Sequence, residues 1–192
     1  MEASSERVLV LPGIEYSDPA NIVHVLVWGP VPFLGQGVPT LEILKAVTAS
    51  NGVAVLAHPS RREAWRLVED AWLDYLLGIE AWNRKTDGWA PSSAALRLIE
   101  GASVVPFVGT DFHDRKQLFP LTMEVNTPYS LVDEDSVLES LRRRRCCARA
   151  FGVPLNRTFY RRAIPALKAA ESSRRFLARM YKRFLKRAAP LH

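Results

Sequence analysis

Five residues of the types that bind metal ions occur in or just after short apolar runs of the sequence. They are Glu15, His24, His58, Asp111 and His113. Only four histidines occur in the chain, and three of them belong to this set. Imidazole and carboxylate ligands together suit zinc, manganese or iron better than magnesium alone. The set therefore predicts a divalent-metal site, whose chemistry would be attack by metal-activated water.

Each of these residues also has a simpler interpretation when taken alone. Glu15 follows a Pro-Gly pair and could be a solvated loop acid. His24 could be a hydrogen-bonded core histidine, and His58, before a proline, could cap the end of a strand. Asp111 and His113 flank one residue, so in extended backbone both side chains point to the same side. The metal interpretation rests on the set, not on any one member.

Two further polar groups accompany this set. Glu80 lies in an apolar run, where an acid is costly unless it is paired. It is interpreted as support for the site, with a structural salt bridge as the alternative. Arg61 and Arg62 follow His58 closely and could hold a phosphate by bidentate contact. Their alternative is a solvated start of a helix.

The elements that must position these residues alternate between strands and helices. Strands are predicted at 8–11, 22–28, 53–57, 78–82, 104–108, 121–125 and 147–151. Helices are predicted at 40–50, 63–76, 92–101, 133–145 and 159–188. This alternation favours an α/β fold with a mainly parallel sheet. The carboxyl ends of parallel strands share one rim, where functional residues gather.

Charge divides the chain into two predicted regions, a body at 1–153 and a basic amphipathic helical tail at 154–192. The net charge is +6, yet residues 142–192 hold 16 Lys or Arg and a single acid, Glu171. Three interpretations of the tail stay open. It could bind nucleic-acid phosphates, lie on an anionic membrane surface, or dock its apolar face on the acidic body or on another copy.

Other features set the class of protein. No apolar run reaches the roughly 18 residues that a membrane-spanning helix needs. Residues 1–7 are polar and do not resemble a secretory signal. Cys146 and Cys147 are adjacent, which suits neither a disulfide nor a zinc-site spacing. We therefore expect a reducing, cytoplasmic setting.

Five segments in this order resemble the PHP family, the polymerase and histidinol phosphatase domains. They are Leu-Pro-Gly-Ile-Glu at 11–15, Val-His-Val-Leu at 23–26, Leu-Ala-His-Pro at 56–59, Gly-Ile-Glu-Ala-Trp-Asn at 78–83 and Gly-Thr-Asp-Phe-His at 109–113. The resemblance covers about residues 8–150. It implies a distorted (β/α)7 barrel fold. It also implies an enzyme that hydrolyses phosphate mono- or diesters of small molecules or nucleic acids. It also implies a site of two or three metal ions, Mn, Zn or Fe.

The resemblance carries over residue by residue. Glu15 is similar to the family's bridging ligand, and His24 and His58 to its histidine ligands. Asp111 and His113 are similar to the closing metal-binding pair, which we also take as catalytic. Glu80 and Asn83 are similar to a segment that supports the site.

One part of the family pattern has no counterpart here. Members begin with a strand that carries a His-x-His pair, and no histidine precedes Glu15 in this chain. We expect a partial barrel that is either truncated at its N-terminus or degenerate. Whether this chain hydrolyses phosphate esters depends on how many metal ligands are missing. The rival hypothesis is a non-catalytic remnant that binds nucleic acid or a partner through the tail.

Overall fold

A computed structural model of the protein describes residues 8–128, 132–156, 159 and 162–188, with side chains of the last helix described to Tyr181. The chain forms a mixed α/β fold with two sheets. The first sheet holds, in spatial order, β1 (Gly13–Ser17), β2 (His24–Trp28), β3 (Val53–Ala57), β4 (Gly78–Asn83) and β5 (Val105–Gly109). The second holds β6 (Leu121–Val125), β7 (Cys146–Ala150) and β8 (Val153–Pro154).

In the described part of the chain, six α-helices with defined bounds accompany the sheets. They are α1 (Thr40–Ala49), α2 (Asp70–Leu73), α3 (Arg84–Asp87), α4 (Ser93–Glu100), α5 (Glu134–Arg142) and α6 (Ile164–Ala188). Two 3-10 helices cover Arg61–Leu67 and Arg115–Gln117. Among the described residues, no helix is both long enough and apolar enough to cross a membrane.

The predicted mainly parallel sheet is wrong at both ends of the chain. In the second sheet, β6 pairs antiparallel with β7, and β7 with β8. β1, β2 and β3 pair antiparallel, whereas β3, β4 and β5 pair parallel. The β1–β2 connection is too short for a parallel crossover, which needs a dozen or more residues. Asp18 fixes this turn, since its carboxylate accepts hydrogen bonds from the backbone N–H groups of Ile22 and Val23 at 2.6 and 2.9 Å.

The first predicted strand is also wrong. Residues 8–12 form no strand, and Val8 and Val10 are 85% and 79% exposed. The strand begins at Gly13, which pairs with Trp28 of β2. A Cβ atom on Gly13 would lie 2.7 Å from the Trp28 indole nitrogen, so the close approach requires glycine. Apolar residues alone did not make a strand at 8–12 because no partner strand lies beside them in the described structure.

The helix predicted at 63–76 is broken into two short helices. Arg62 and Glu63 adopt left-handed backbone, with φ of 48° and 57°, and Val68 is extended. Only the four residues of α2 then form an α-helix. The segment contacts the core through the buried side chains of Ala64 and Trp72. These contacts do not require one continuous helix.

The core lies mainly around β3 and β4, in which every residue is buried. Helix α1 covers one face of the first sheet with Ile43, Leu44 and Val47. A second apolar cluster joins Trp82 of β4 to the second sheet and to the start of α6. The two sheets share no strand ladder among the described residues, so the chain forms no closed barrel there.

The segment that follows β8 packs into the body. Leu155, Phe159 and Ile164 are at least 90% buried in the cluster around Trp82. The division of the chain into regions 1–153 and 154–192 stays a prediction.

Candidate metal centre

Strand direction brings Glu15, His24 and His58 together. Because β2 runs antiparallel to β3, the first residue of β2, His24, pairs with the last residue of β3, Ala57. His24 therefore lies beside His58, which follows β3 directly. On β1, Ser17 pairs with His24, and Glu15 lies two residues before Ser17. Side chains two residues apart in a strand share a face, so Glu15 projects towards the two imidazoles.

One carboxylate oxygen of Glu15 contacts both imidazoles. The Oε1 atom lies 2.5 Å from Nδ1 of His24 and 3.2 Å from Nε2 of His58. The two rings meet edge to face, with centroids 5.0 Å apart. The three residues offer ligand atoms that all lie within 4.8 Å of one another. This spacing is compatible with one divalent cation between them.

The charges in this cluster shift its titration. Hydrogen bonds from His24 and His58 hold the pKa of Glu15 well below its ordinary value, against the opposing effect of burial. Burial alone would lower the pKa of His58, but the hydrogen bond to Glu15 and nearby carboxylates raise it. The Glu15 carboxylate therefore stays negative, and a metal ion that bound here would displace the proton that the raised pKa favours on His58.

His58 supplies the test of whether a metal fits. It is 4% exposed, and its Nδ1 atom has no hydrogen-bond partner within the described part of the chain. A buried polar atom without a partner is costly in free energy, and a bound ion or water commonly satisfies it. The nitrogen of His58 that faces Glu15 is Nε2, however, so the unsatisfied Nδ1 lies on the other side of the ring. The fit to a divalent metal ion therefore rests on the donor set, one carboxylate and two imidazoles.

Asp111 and His113 face the same cavity but form a second, separate cluster. Asp111 lies 3.1 Å from Nδ1 of His113. The ammonium group of Lys85 lies 3.2 Å from the Asp111 carboxylate and 3.3 Å from Nε2 of His113. Together with the Glu15 triad, these three residues line a polar cavity of about 500 Å3. The structure thus gathers all five predicted ligands around one cavity, three of them in mutual contact range.

Backbone conformation at the cavity is unusual for two of these residues. His58 and Asp111 have positive φ, 26° and 47°, although both carry a side chain. Left-handed backbone is uncommon outside glycine and is costly in energy. His58 directly follows the end of β3, and Asp111 lies two residues after the end of β5, so both lie where the chain leaves the sheet.

Glu80 and Asn83 lie beneath the triad. The Glu80 carboxylate accepts hydrogen bonds from the backbone N–H of His58 at 2.7 Å and from the Asn83 amide at 3.0 Å. Asn83 also accepts a hydrogen bond from the backbone N–H of Thr86, which caps α3. Burial raises the pKa of Glu80. The pair fixes the backbone at His58, which is the position expected of supporting residues.

The two predicted phosphate-binding arginines lie side by side, and only Arg61 lines the polar cavity. Arg61 lines the polar cavity, with one guanidinium nitrogen 2.9 Å from Nε2 of His24 and 3.0 Å from the backbone oxygen of Asn21. Arg62 donates to the same backbone oxygen at 3.2 Å. Contact of either residue with a substrate stays a prediction.

Sequence reasoning missed Lys85 and Asp87. Lys85 comes two residues after the end of β4, at the same rim as His58, and that placement was the available signal. Asp87 is buried and accepts hydrogen bonds from the Ser60 hydroxyl and from the backbone N–H of Asn83. Burial raises the pKa of Asp87 to about 6. No pattern in the sequence marks Asp87, because its role depends on burial alone.

A second cavity adjoins the metal centre on its inner side. It measures about 360 Å3, and Glu15, His58 and Asp111 line one end of it. Its remaining wall is mostly apolar and includes Leu26, Trp28, Phe107, Met123, Val125 and Leu141. The candidate ligands therefore lie at the boundary between a polar cavity and an apolar one.

Comparison with known proteins gives partial similarities. No family model matches the chain, and no curated protein matches it. Among solved structures, the chain is similar to PsfC from Pseudomonas syringae PB-5123, with 20% identity and a TM-score of 0.48 over 68% of this chain and 54% of that one. It is also similar to a candidate metal-dependent phosphoesterase from Bifidobacterium adolescentis, with 29% identity and a TM-score of 0.33.

The second similarity covers 58% of this chain and 39% of that one, so the chain spans about half or less of the two proteins it resembles. At these TM-scores the similarities do not assign a family. The chain is a mixed α/β protein that carries a candidate three-residue metal-binding group, Glu15, His24 and His58.

Proposed function

We propose that the chain provides the site of a PHP-type metal-dependent phosphoesterase, which hydrolyses phosphate mono- or diesters with water. The observation that carries this proposal is the contact of one Glu15 oxygen with both His24 and His58, at 2.5 and 3.2 Å. The five sequence segments that resemble the PHP family support the choice of reaction.

Glu15, His24 and His58 would hold the first metal ion. Asp111 and His113 lie across the same cavity, where they could complete that site or hold a second ion. Manganese, zinc and iron all suit these nitrogen and oxygen ligands. A bound ion would lower the pKa of water and withdraw charge from the phosphate oxygens.

Cationic side chains would orient the substrate phosphate. Lys85 and Arg61 both line the polar cavity, on the side open to solvent. A phosphate group that entered this cavity would exchange the Lys85–Asp111 and Arg61–His24 contacts for contacts with its own oxygens. Arg62, held on the adjoining turn, would add positive charge at the mouth. These residues bind and orient the ester without forming a covalent bond to it.

His113 is placed to give a proton to the leaving oxygen. Its side chain is 64% exposed, so it can reach a substrate in the polar cavity. Its Nδ1 atom lies close to both the side chain and the backbone oxygen of Asp111. Asp111 would hold the ring in one orientation. Nε2, which Lys85 contacts at 3.3 Å, would donate the proton once the substrate phosphate draws that ammonium group away, a role that replaces metal binding by His113.

The test combines metal content with hydrolysis. We expect purified protein, after addition of Mn2+, Fe2+ or Zn2+ and desalting, to retain about one or more ions per chain by elemental mass spectrometry. Para-nitrophenyl phosphate and its bis ester are the probe substrates. Glu15→Gln should lose both metal and hydrolysis, whereas Glu63→Gln, on an exposed residue, should lose neither.

Two results would contradict the proposal. Wild-type protein that retains no metal ion would show that the triad is not a metal site. Retained metal without hydrolysis of either ester, or hydrolysis that persists in Glu15→Gln, would separate the metal from the proposed reaction.

A further inference from the structure

The terminal helix α6 has a docked half and a projecting half. In the docked half, Glu171 is 6% exposed, and its carboxylate accepts a hydrogen bond from the backbone N–H of Trp89 at 3.1 Å. Arg174 and Arg175 donate to the same carboxylate at 2.5–2.7 Å. Arg175 also donates to the backbone oxygen of Asp87 at 3.1 Å. These contacts fix the helix against the body up to Arg175.

Beyond Arg175 the helix leaves the body. Every residue from 175 to 181 is exposed. Four of them are large apolar side chains, and their exposed fractions are 55% for Phe176, 65% for Leu177, 50% for Met180 and 65% for Tyr181. A cluster of this kind on a surface commonly marks an interaction site. The projecting half therefore presents an apolar face that the described body does not cover.

The apolar and basic residues occupy opposite sides of the projecting half. At about 100° per residue, Phe176, Met180, Leu177 and Tyr181 fall within an arc of about 140°. The sequence continues this spacing at Phe184 and Leu185. By the same spacing, four of the five basic residues of this stretch fall on the opposite arc, Arg179, Lys182, Arg183 and Lys186, whereas Arg187 falls within the apolar arc. No acid occurs from residue 172 to 192.

We propose that the projecting half of α6 binds the surface of an anionic phospholipid bilayer. The apolar arc would enter the boundary between headgroups and acyl chains, and the basic residues would contact lipid phosphates. A helix with a large apolar arc, a basic opposite arc and no acid is complementary in both respects to such a surface. This inference is independent of the proposed phosphoesterase reaction.

Charge disfavours a second copy of this chain as the occupant. A second copy paired through the apolar arcs would leave the basic residues of both helices, five from residues 176–188 of each copy, without an acidic partner. Nucleic acid would neutralise the basic arc, but phosphate contacts would leave the four apolar side chains in water. An anionic bilayer is the occupant that covers both arcs at once.

The test uses the full chain and vesicles of two compositions. We expect it to co-sediment with vesicles of phosphatidylcholine and phosphatidylglycerol at 70:30, and at least tenfold less with pure phosphatidylcholine. Leu177→Ser with Met180→Ser should reduce binding to the anionic vesicles at least tenfold. The fold should survive, because both side chains are at least half exposed. Far-ultraviolet circular dichroism would check this.

A matched control replaces two exposed apolar residues elsewhere, Leu118→Ser with Val132→Ser, and should bind like the wild type. The proposal is overturned if the wild type binds neither vesicle, or binds both equally. It is also overturned if the double variant on α6 keeps full binding. Salt-sensitive binding to RNA or DNA without vesicle binding would assign the helix to nucleic acid. A dimer that the α6 variant abolishes would assign it to a second copy.

Discussion

Glu15 and Glu171 are two carboxylates that each contact two basic side chains, yet their surroundings differ in kind. The partners of Glu15 are imidazoles, which lose their charge near neutral pH and can bind metal ions. The partners of Glu171 are guanidinium groups, which stay charged and cannot act as ligands. Hydrogen bonds from these partners lower the pKa of both acids, that of Glu171 to about 2.

Exposure separates the two clusters further. The Glu15 side chain is 42% exposed and lines a cavity. The Glu171 side chain, which projects from α6, is 8% exposed and is buried between that helix and the body. Glutamate is therefore a candidate metal ligand at position 15, whereas at position 171 it anchors α6 to the body. The identity of the basic partners, not of the carboxylate, decides which role the chemistry permits.

The largest expected effect comes from removing an imidazole of the first cluster. His58→Ala should weaken metal binding at least about 100-fold, because it deletes one of three converging ligands. Competition with a chromogenic chelator would measure the affinity. Glu171→Gln, in the second cluster, should leave it unchanged. Equal metal affinity in wild type and His58→Ala would remove the distinction drawn between the two clusters.

The next effect concerns the stability that the second cluster provides. Glu171→Ala should lower the free energy of unfolding by about 1–3 kcal/mol, since it removes the acceptor of the Trp89 N–H and of two arginines. Glu171→Gln should cost less, because the amide oxygen still accepts from Trp89. Urea denaturation of the metal-free protein would measure both changes. An unchanged midpoint in Glu171→Ala would show that the contacts of Glu171 contribute nothing to stability.

Asp87 sharpens the comparison, because it is buried and no side-chain cation contacts its carboxylate among the described contacts. Burial raises the pKa of Asp87 in the folded protein from the ordinary 3.8 to about 6. Between these two pH values the native state keeps a proton on Asp87 that the unfolded state has lost. Stability contributed by Asp87 is therefore full below pH about 4 and declines as pH rises to about 6.

Asp87→Asn should remove this decline. The amide can still accept from the Asn83 N–H and can donate to the Ser60 hydroxyl. At pH 7.5 we expect the variant to be more stable than the wild type by about 1–3 kcal/mol, and the two to converge near pH 4. Thermal melting of metal-free protein across pH 4–8 would measure this, with the exposed Asp74→Asn as control. A pH profile parallel to that of the wild type would contradict it.

The smallest effect should come from Lys85, which contacts one half of the candidate centre without being a ligand. Lys85→Met should leave metal content unchanged, because the triad does not include it. It should raise KM for a phosphate ester by about 3–10-fold with little change in kcat, since it removes a contact that is the same in ground and transition states. Metal content that falls with Lys85→Met would show that the lysine positions Asp111 for metal binding.

Sequence patterns predicted the interior of the sheet better than its beginning. The strands at 53–57, 78–82 and 121–125 follow from apolar runs that packing buries on one or both faces. Three elements were wrong because local geometry determines them. The first strand depends on the close approach at Gly13, and the direction of β2 depends on the turn held by Asp18. The helix at 63–76 is broken by left-handed backbone at Arg62 and Glu63. None of these follows from hydrophobic periodicity.

The site was predictable to a similar degree. Residue type and motif order singled out Glu15, His24 and His58, which the structure brings within contact range. The contribution of Asp111 and His113 to metal binding stays a prediction, as does the partial (β/α)7 barrel. Lys85 and Asp87 were missed because their importance arises from where the chain folds, and a lysine or an aspartate after a strand has no distinctive pattern.

The left-handed backbone at His58 and Asp111 implies a conflict between stability and function in this chain. Each position carries a conformational cost of about 1–2 kcal/mol that glycine would relieve. His58→Gly and Asp111→Gly should therefore melt at higher temperature than the corresponding alanine variants, although they remove the same side-chain atoms beyond Cβ. The chain thus keeps a side chain at two positions where the backbone conformation itself favours glycine.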